Sequence, residues 1–73
     1  MVKVEDMVDG VRTINEFVQG DYVTRQYIHD IYGLMEVTVH VDDVDPNEMI
    51  FVDRLNELIE QLSIVYDDMV GGN

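Results

Sequence analysis

The sequence predicts a small, mainly α-helical single domain. Two stretches, about 4–18 and 46–69, carry apolar residues at alternating steps of three and four, as amphipathic helices do. The chain has 73 residues and no cysteine, so one modest core must form without disulfide bonds. Apolar residues make up 47% of the chain, which is enough for such a core and argues against disorder. We therefore expect residues 1–73 to form one acidic domain.

The first amphipathic helix is predicted over about 4–18. Its apolar stripe consists of Val4, Met7, Val11, Ile14 and Val18. Asp6 and Asp9 lie near the predicted start, where carboxylates suit the positive end of the helix dipole. Gly20 is well placed to end the helix.

The next stretch is open to two interpretations. The favoured one is a short middle helix over about 24–32, because two-residue alternation would put Arg25 on the same face as Val23 and Tyr27. A short strand over about 36–41 follows, where valines alternate with polar residues. That strand has no partner in its own chain under this interpretation.

The alternative for this stretch is an α+β fold in which 22–41 forms a β-hairpin between the two helices. The Tyr, Val, Thr and Ile residues of this segment all favour strands.

The last helix, about 46–69, has the most regular pattern. Its heptad seam, which we expect to pack on helix 4–18, consists of Phe51, Leu55, Leu58, Leu62, Val65 and Met69. Asp45, Pro46 and Glu48 resemble a helix start, with an N-cap, a proline at the first position and a capping box.

The segment 43–54, DVDPNEMIFVDR, partly matches a calcium-binding EF-hand loop. Such a loop needs glycine at its sixth position and a bidentate glutamate at its twelfth. Glu48 and Arg54 occupy those positions here. We therefore interpret the acids as a helix cap and expect no calcium binding.

Residues that could support catalysis or metal binding are sparse. Ser63 is the only serine, and it lies among apolar residues where a helical serine usually bonds its own backbone. His29 and His40 are too far apart in sequence for a compact metal-ligand motif. We expect no enzymatic activity, no cofactor and no metal.

Charge is the strongest compositional feature. Sixteen acidic residues face four basic ones, giving a formal net charge of −12. Nucleic acid and anionic membranes repel such a chain, whereas basic protein surfaces attract it. Adaptation to solubility or to a salty habitat accounts equally well for this composition. Without a signal-peptide pattern or a bilayer-spanning apolar run, a cytoplasmic location is expected, including the host cell of a virus.

These features predict a small acidic protein-binding module. It would occupy a basic surface of a partner protein, such as a nucleic-acid-binding groove, as inhibitors that imitate DNA do. The predicted contact residues are Asp53, Glu57, Glu60 and Asp67 on the last helix, with Asp42 and Asp43 before it. The alternative is a structural or assembly subunit that associates through its heptad helices, as a homodimer or within a larger complex.

Overall fold

The protein is an α+β fold in which three antiparallel strands pack on one long helix. The computed structural model describes residues 3–71. Its elements, in chain order, are helix α1 (Val4–Met7), strands β1 (Val11–Gln19), β2 (Tyr22–His29) and β3 (Gly33–His40), a 3₁₀ turn (Val41–Asp43) and helix α2 (Met49–Gly71). The strands are ordered β1-β2-β3. The prediction of a mainly α-helical domain is therefore wrong.

The predicted helix over 4–18 is a single helical turn followed by strand β1. A β-bulge at Ile14 interrupts the pairing of β1 with β2. Val11 and Thr13 face the helix layer before the bulge, whereas Glu16 and Val18 do so after it. The bulge thus changes the spacing from two residues to three at one point, which hides strand alternation and imitates helical spacing.

The predicted middle helix over 24–32 is also wrong, because strand β2 occupies this segment. Strands β2 and β3 form the hairpin that the alternative interpretation placed at 22–41, and β2 is the partner that strand 36–41 lacked. That alternative still kept a helix over 4–18, which does not exist. Its hairpin loop ends at Gly33, whose φ of 79° is readily adopted only without a Cβ atom.

The turn between β1 and β2 carries a signal that the sequence interpretation missed. Gln19 pairs with Tyr22 across the two-residue loop Gly20–Asp21. Gly20 has a φ of 61°, whereas Asp21 does not have a positive φ, as in a type II′ hairpin turn. A Gly-Asp pair between two strand-forming segments is a recognised hairpin signal.

Helix α2 packs on the inner face of the sheet rather than on a second long helix. The buried core comprises Val4, Val8, Val11, Val23, Tyr27, Met35, Val37, Val39, Phe51, Val52 and Leu55. Only the first part of the heptad seam enters this core. The second part, from Leu62 to Met69, is exposed. No helix within residues 3–71 is long and apolar enough to cross a membrane.

The start of α2 differs from the predicted capping box. The helix begins at Met49 instead of 46, and Asp45 Oδ1 accepts a hydrogen bond from the Met49 backbone N–H at 2.6 Å. Glu48 has a φ of 59°, which a helical residue does not adopt. Its side chain turns to the sheet, where it binds Arg25.

Candidate functional site

The outer face of α2 carries four of the predicted contact residues. Asp53, Glu57, Glu60 and Asp67 are all exposed, and their helical spacing places them along one side of α2 outside the seam, where Glu57 also borders a cavity beside β3. We call these four residues the acidic ridge.

Among the described residues, a cation lies near only one member of the acidic ridge. Arg54 Nη1 lies 3.4 Å from Glu57 Oε2, and both side chains are exposed. No other Lys, Arg or His side chain within the described part of the chain lies within 4.0 Å of a ridge carboxylate. The ridge therefore presents negative potential to solvent with Arg54 as the one compensating charge within residues 3–71.

The other two predicted contact residues lie in the 3₁₀ turn before α2. Asp42 and Asp43 are exposed. His40 Nδ1 accepts a hydrogen bond from the Asp42 backbone N–H at 3.1 Å and lies 3.6 Å from the Asp42 carboxylate. Within residues 3–71, no hydrogen bond or ion pair connects Asp42 or Asp43 to a residue of the acidic ridge.

The heptad seam divides into a buried half and an exposed half. Phe51 and Leu55 are fully buried, and Leu58 packs partly buried against the core. Leu62 is 36% exposed, Val65 54% and Met69 80%. The seam consequently holds the helix to the sheet only through its first half and leaves three large apolar side chains available for contact.

A groove runs between the unpaired edge of β3 and helix α2. It contains two adjoining cavities of ≈ 210 and ≈ 330 Å³, and both are lined by Glu36, Leu58 and Gln61. Arg54 and Glu57 border the first cavity, whereas the second opens on the exposed apolar part of the seam. Sequence patterning did not predict this groove because it depends on which strand lies beside the helix.

A partly buried ion pair joins the sheet to the start of α2. Arg25 donates hydrogen bonds from both terminal nitrogens to Glu48, at 2.6 and 2.8 Å. The guanidinium carbon lies 4.3 Å from the centre of the Phe51 ring, which adds a cation–π contact. Arg25 Nε lies 3.3 Å from a Glu16 carboxylate oxygen but forms no hydrogen bond with any described residue.

The ion pair changes the titration of its members in the expected directions. The Glu48 hydrogen bonds raise the pKa of Arg25 above its ordinary value, and those from Arg25 lower the pKa of Glu48. Burial raises the pKa of Tyr27, whose hydroxyl has no hydrogen-bond partner among residues 3–71. Each of these groups therefore keeps its usual charge near neutral pH, and the network is suited to holding structure rather than to proton transfer.

The residues considered for metal binding or nucleophilic chemistry lie apart from one another. His29 Nδ1 accepts hydrogen bonds from the Ile31 and Tyr32 backbone N–H groups, which organise the β2–β3 loop. Ser63 lies partly buried within α2. Within residues 3–71, no three His, Asp or Glu side chains are arranged to hold a metal ion.

No protein-family model matches this chain, and neither a curated protein nor a solved structure shows significant similarity to it.

Proposed function

We propose that the protein is an acidic binding module that occupies a basic surface of a partner protein. The observation that carries this proposal is the acidic ridge, where Arg54 is the only cation near a carboxylate within residues 3–71. Asp53 and Asp67 are fourteen residues apart on one helix, about 21 Å at 1.5 Å per residue. A row of this length matches several Arg or Lys side chains that otherwise hold successive phosphates of a nucleic acid.

The like charges of the ridge cost helix stability, and this cost supports a binding role for them. Like charges at i,i+4, such as Asp53 and Glu57, weaken a helix slightly. A helix shaped for stability alone would intersperse lysines, but α2 has none among its 23 residues. Attraction to a basic surface offsets this cost when the partner is bound.

The experiment reverses the charge of the ridge. Asp53, Glu57 and Glu60 are changed together to Lys, and association is measured at low salt with the basic partner that the parent chain captures from its source cells. We expect a sharply slower association, because electrostatic steering is lost while the buried half of the seam keeps α2 folded. Circular dichroism checks the fold.

A matched variant controls for net charge. Asp9, Asp21 and Asp30 are also exposed but lie outside α2. Changing these three to Lys alters the net charge by the same amount, so a comparable loss of association would show that total charge matters and the ridge does not. Equal binding of the parent and the ridge variant at low salt would refute the proposal. Competition between the chain and labelled duplex DNA for the partner tests the DNA-mimic form of the function.

One observation favours the second candidate function, an assembly subunit. The exposed half of the seam, formed by Leu62, Val65 and Met69, is an apolar helix surface that suits packing against another helix. Salt separates the two candidates. Binding of a basic surface weakens as salt rises, whereas apolar association does not.

A further inference from the structure

Strand β3 forms an edge of the sheet that is available for pairing. It runs for eight residues, Gly33–His40, and its register with β2 is uninterrupted. Within residues 3–71, no strand pairs with its other side. The opposite edge, β1, is distorted by the bulge at Ile14. Bulges protect an edge from pairing, whereas a regular edge is a template for an added strand.

The groove beside this edge lies between β3 and α2, which packs on the inner side of the sheet, and its larger cavity is mainly apolar, with Glu36 and Gln61 as polar lining residues. Leu58, Leu62 and Val65 of α2 line the larger cavity together with Leu34 and Met35 of β3. A strand added to β3 would place every second side chain on this side of the sheet. Those side chains would fill the groove, so they are expected to be apolar.

The outward-facing side of β3 carries a single carboxylate, that of Glu36, between Leu34 and Thr38, and Glu36 also borders the groove. Glu36 lies on the open face of the sheet, and its carboxylate accepts a hydrogen bond from Gln26 Nε2 at 3.5 Å. Gln26 Oε1 in turn accepts a hydrogen bond from Asn15 at 3.3 Å. This ladder of polar side chains holds the Glu36 carboxylate at the edge, where it meets the remaining side chains of an added strand.

We propose that the β3 edge binds an extended segment of the basic partner as a fourth strand. In this segment apolar side chains enter the groove, and the alternating Lys or Arg side chains lie beside Glu36. This inference rests on the proposed function, which supplies a basic partner. A second copy of the chain is a poorer occupant because it would bring another formal charge of −12 to the same edge.

The experiment uses a capped heptapeptide that alternates lysine and valine. Calorimetry at low salt measures its affinity for the full chain, and amide hydrogen exchange locates the contact. We expect slower exchange of β3 amides. Binding should weaken about tenfold in Glu36→Lys, because an attraction becomes a repulsion. Asp53→Lys makes the same charge change on the acidic ridge and should weaken peptide binding less.

A second peptide tests the strand geometry. It has the same sequence but carries N-methyl groups on alternate amides, which removes backbone donors and keeps the charge. Two isomers exist, one for each set of alternate amides. We expect the isomer methylated on the amides that face β3 to lose its binding to the chain. If both methylated isomers bind as well as the parent peptide, strand addition is excluded.

The outcomes distinguish this inference from the proposed function. If the ridge variant loses the captured partner while Glu36→Lys and N-methylation leave peptide binding unchanged, the edge inference fails and the proposed function stands. If neither the captured partner nor the peptide responds to any charge reversal, both fail. Concentration-dependent protection of β3 without peptide would identify a second copy as the occupant and would overturn the inference.

Discussion

Arg25 shows how a charged side chain becomes part of the interior of this protein. Its side chain is 12% exposed, and a charge with so little water around it requires a well-matched partner. Glu48 supplies a bidentate carboxylate, and Phe51 supplies an aromatic face. Because Glu48 immediately precedes α2, the ion pair joins strand β2 to the start of the helix.

Breaking this ion pair from one side should destabilise the fold. We expect Arg25→Met to lower the free energy of unfolding by about 2–3 kcal/mol, since Glu48 is left partly buried without its donor. The double variant with Glu48→Met should cost less than the sum of the two single changes. Urea unfolding of the four proteins measures this coupling, and strictly additive losses would show that the ion pair is not coupled.

The ion pair also predicts a pH dependence. The Arg25 guanidinium lowers the pKa of Glu48 below its ordinary value of 4.5. A folded-state pKa below the unfolded value stabilises the fold above the unfolded value, and this contribution is lost as pH falls through the folded pKa. The stability difference between the parent and Glu48→Gln should therefore be largest near neutral pH and shrink below about pH 4.5.

The control for this pH dependence is Glu57→Gln. Glu57 is exposed and lies 3.4 Å from Arg54, where water screens the contact. The parent and each variant have the same other acidic residues. The difference between their free energies of unfolding therefore removes the effect of protonating those residues, which relieves charge repulsion in all the proteins. A Glu48 difference that stays constant from neutral to acid pH would contradict a stabilising role for its charge.

Helix α2 has two halves with different roles. Its first half contributes fully buried side chains to the core, and its second half carries exposed apolar residues in the same heptad positions. A heptad pattern reports which residues share a helix face, but the extent of burial depends on how far the sheet reaches along that face. The three strands cover the seam only as far as Leu58.

A matched pair of substitutions tests this division. Leu55→Ala should lower the free energy of unfolding by about 2–5 kcal/mol, because it leaves a cavity in a fully buried site. Leu62→Ala makes the same chemical change at a site that is 36% exposed and should cost less than about 1 kcal/mol. Equal losses in denaturant titrations would show that the second half of the seam is also packed.

Charge and apolar surface act against each other in the whole molecule. A formal net charge of −12 on a 73-residue chain opposes the approach of a second copy. The exposed half of the seam favours such an approach, in line with the homodimer that the alternative interpretation of the sequence includes. Salt shifts this balance, since the screening length falls from about 10 Å at 0.1 M to about 3 Å at 1 M.

Self-association should therefore increase with salt. We expect sedimentation velocity to show more dimer at 1 M than at 0.1 M salt, whereas binding of a basic partner changes in the opposite direction. Changing Leu62 to Gln and Val65 to Thr should reduce the dimer because both side chains belong to the exposed half of the seam. Ile64→Thr, on the outer face of α2, is the control. A dimer insensitive to the Leu62 and Val65 changes would exclude this surface.

The sequence by itself determined the properties that depend on composition and on nearby residues. The strong negative net charge is a sum over the side chains of the sequence. The apolar residues of the long last helix recur at steps of three and four, a spacing that fits an α-helix and not a strand. The alternating segment 36–41 likewise indicated most of β3, since its inner face is buried and its outer face is polar. The acidic ridge followed from the same helical period.

Only the tertiary structure decided the identity of β1 and β2. The bulge at Ile14 breaks the alternation of apolar and polar residues in β1. In β2, Arg25 places a charge on the apolar face, which is acceptable only because Glu48 binds it. Glu48 is 23 residues further along the chain, so no local pattern can show that it neutralises Arg25. The same holds for the free edge of β3 and the groove beside it. These features depend on which segments meet in space, and that depends on pairings between residues distant in sequence.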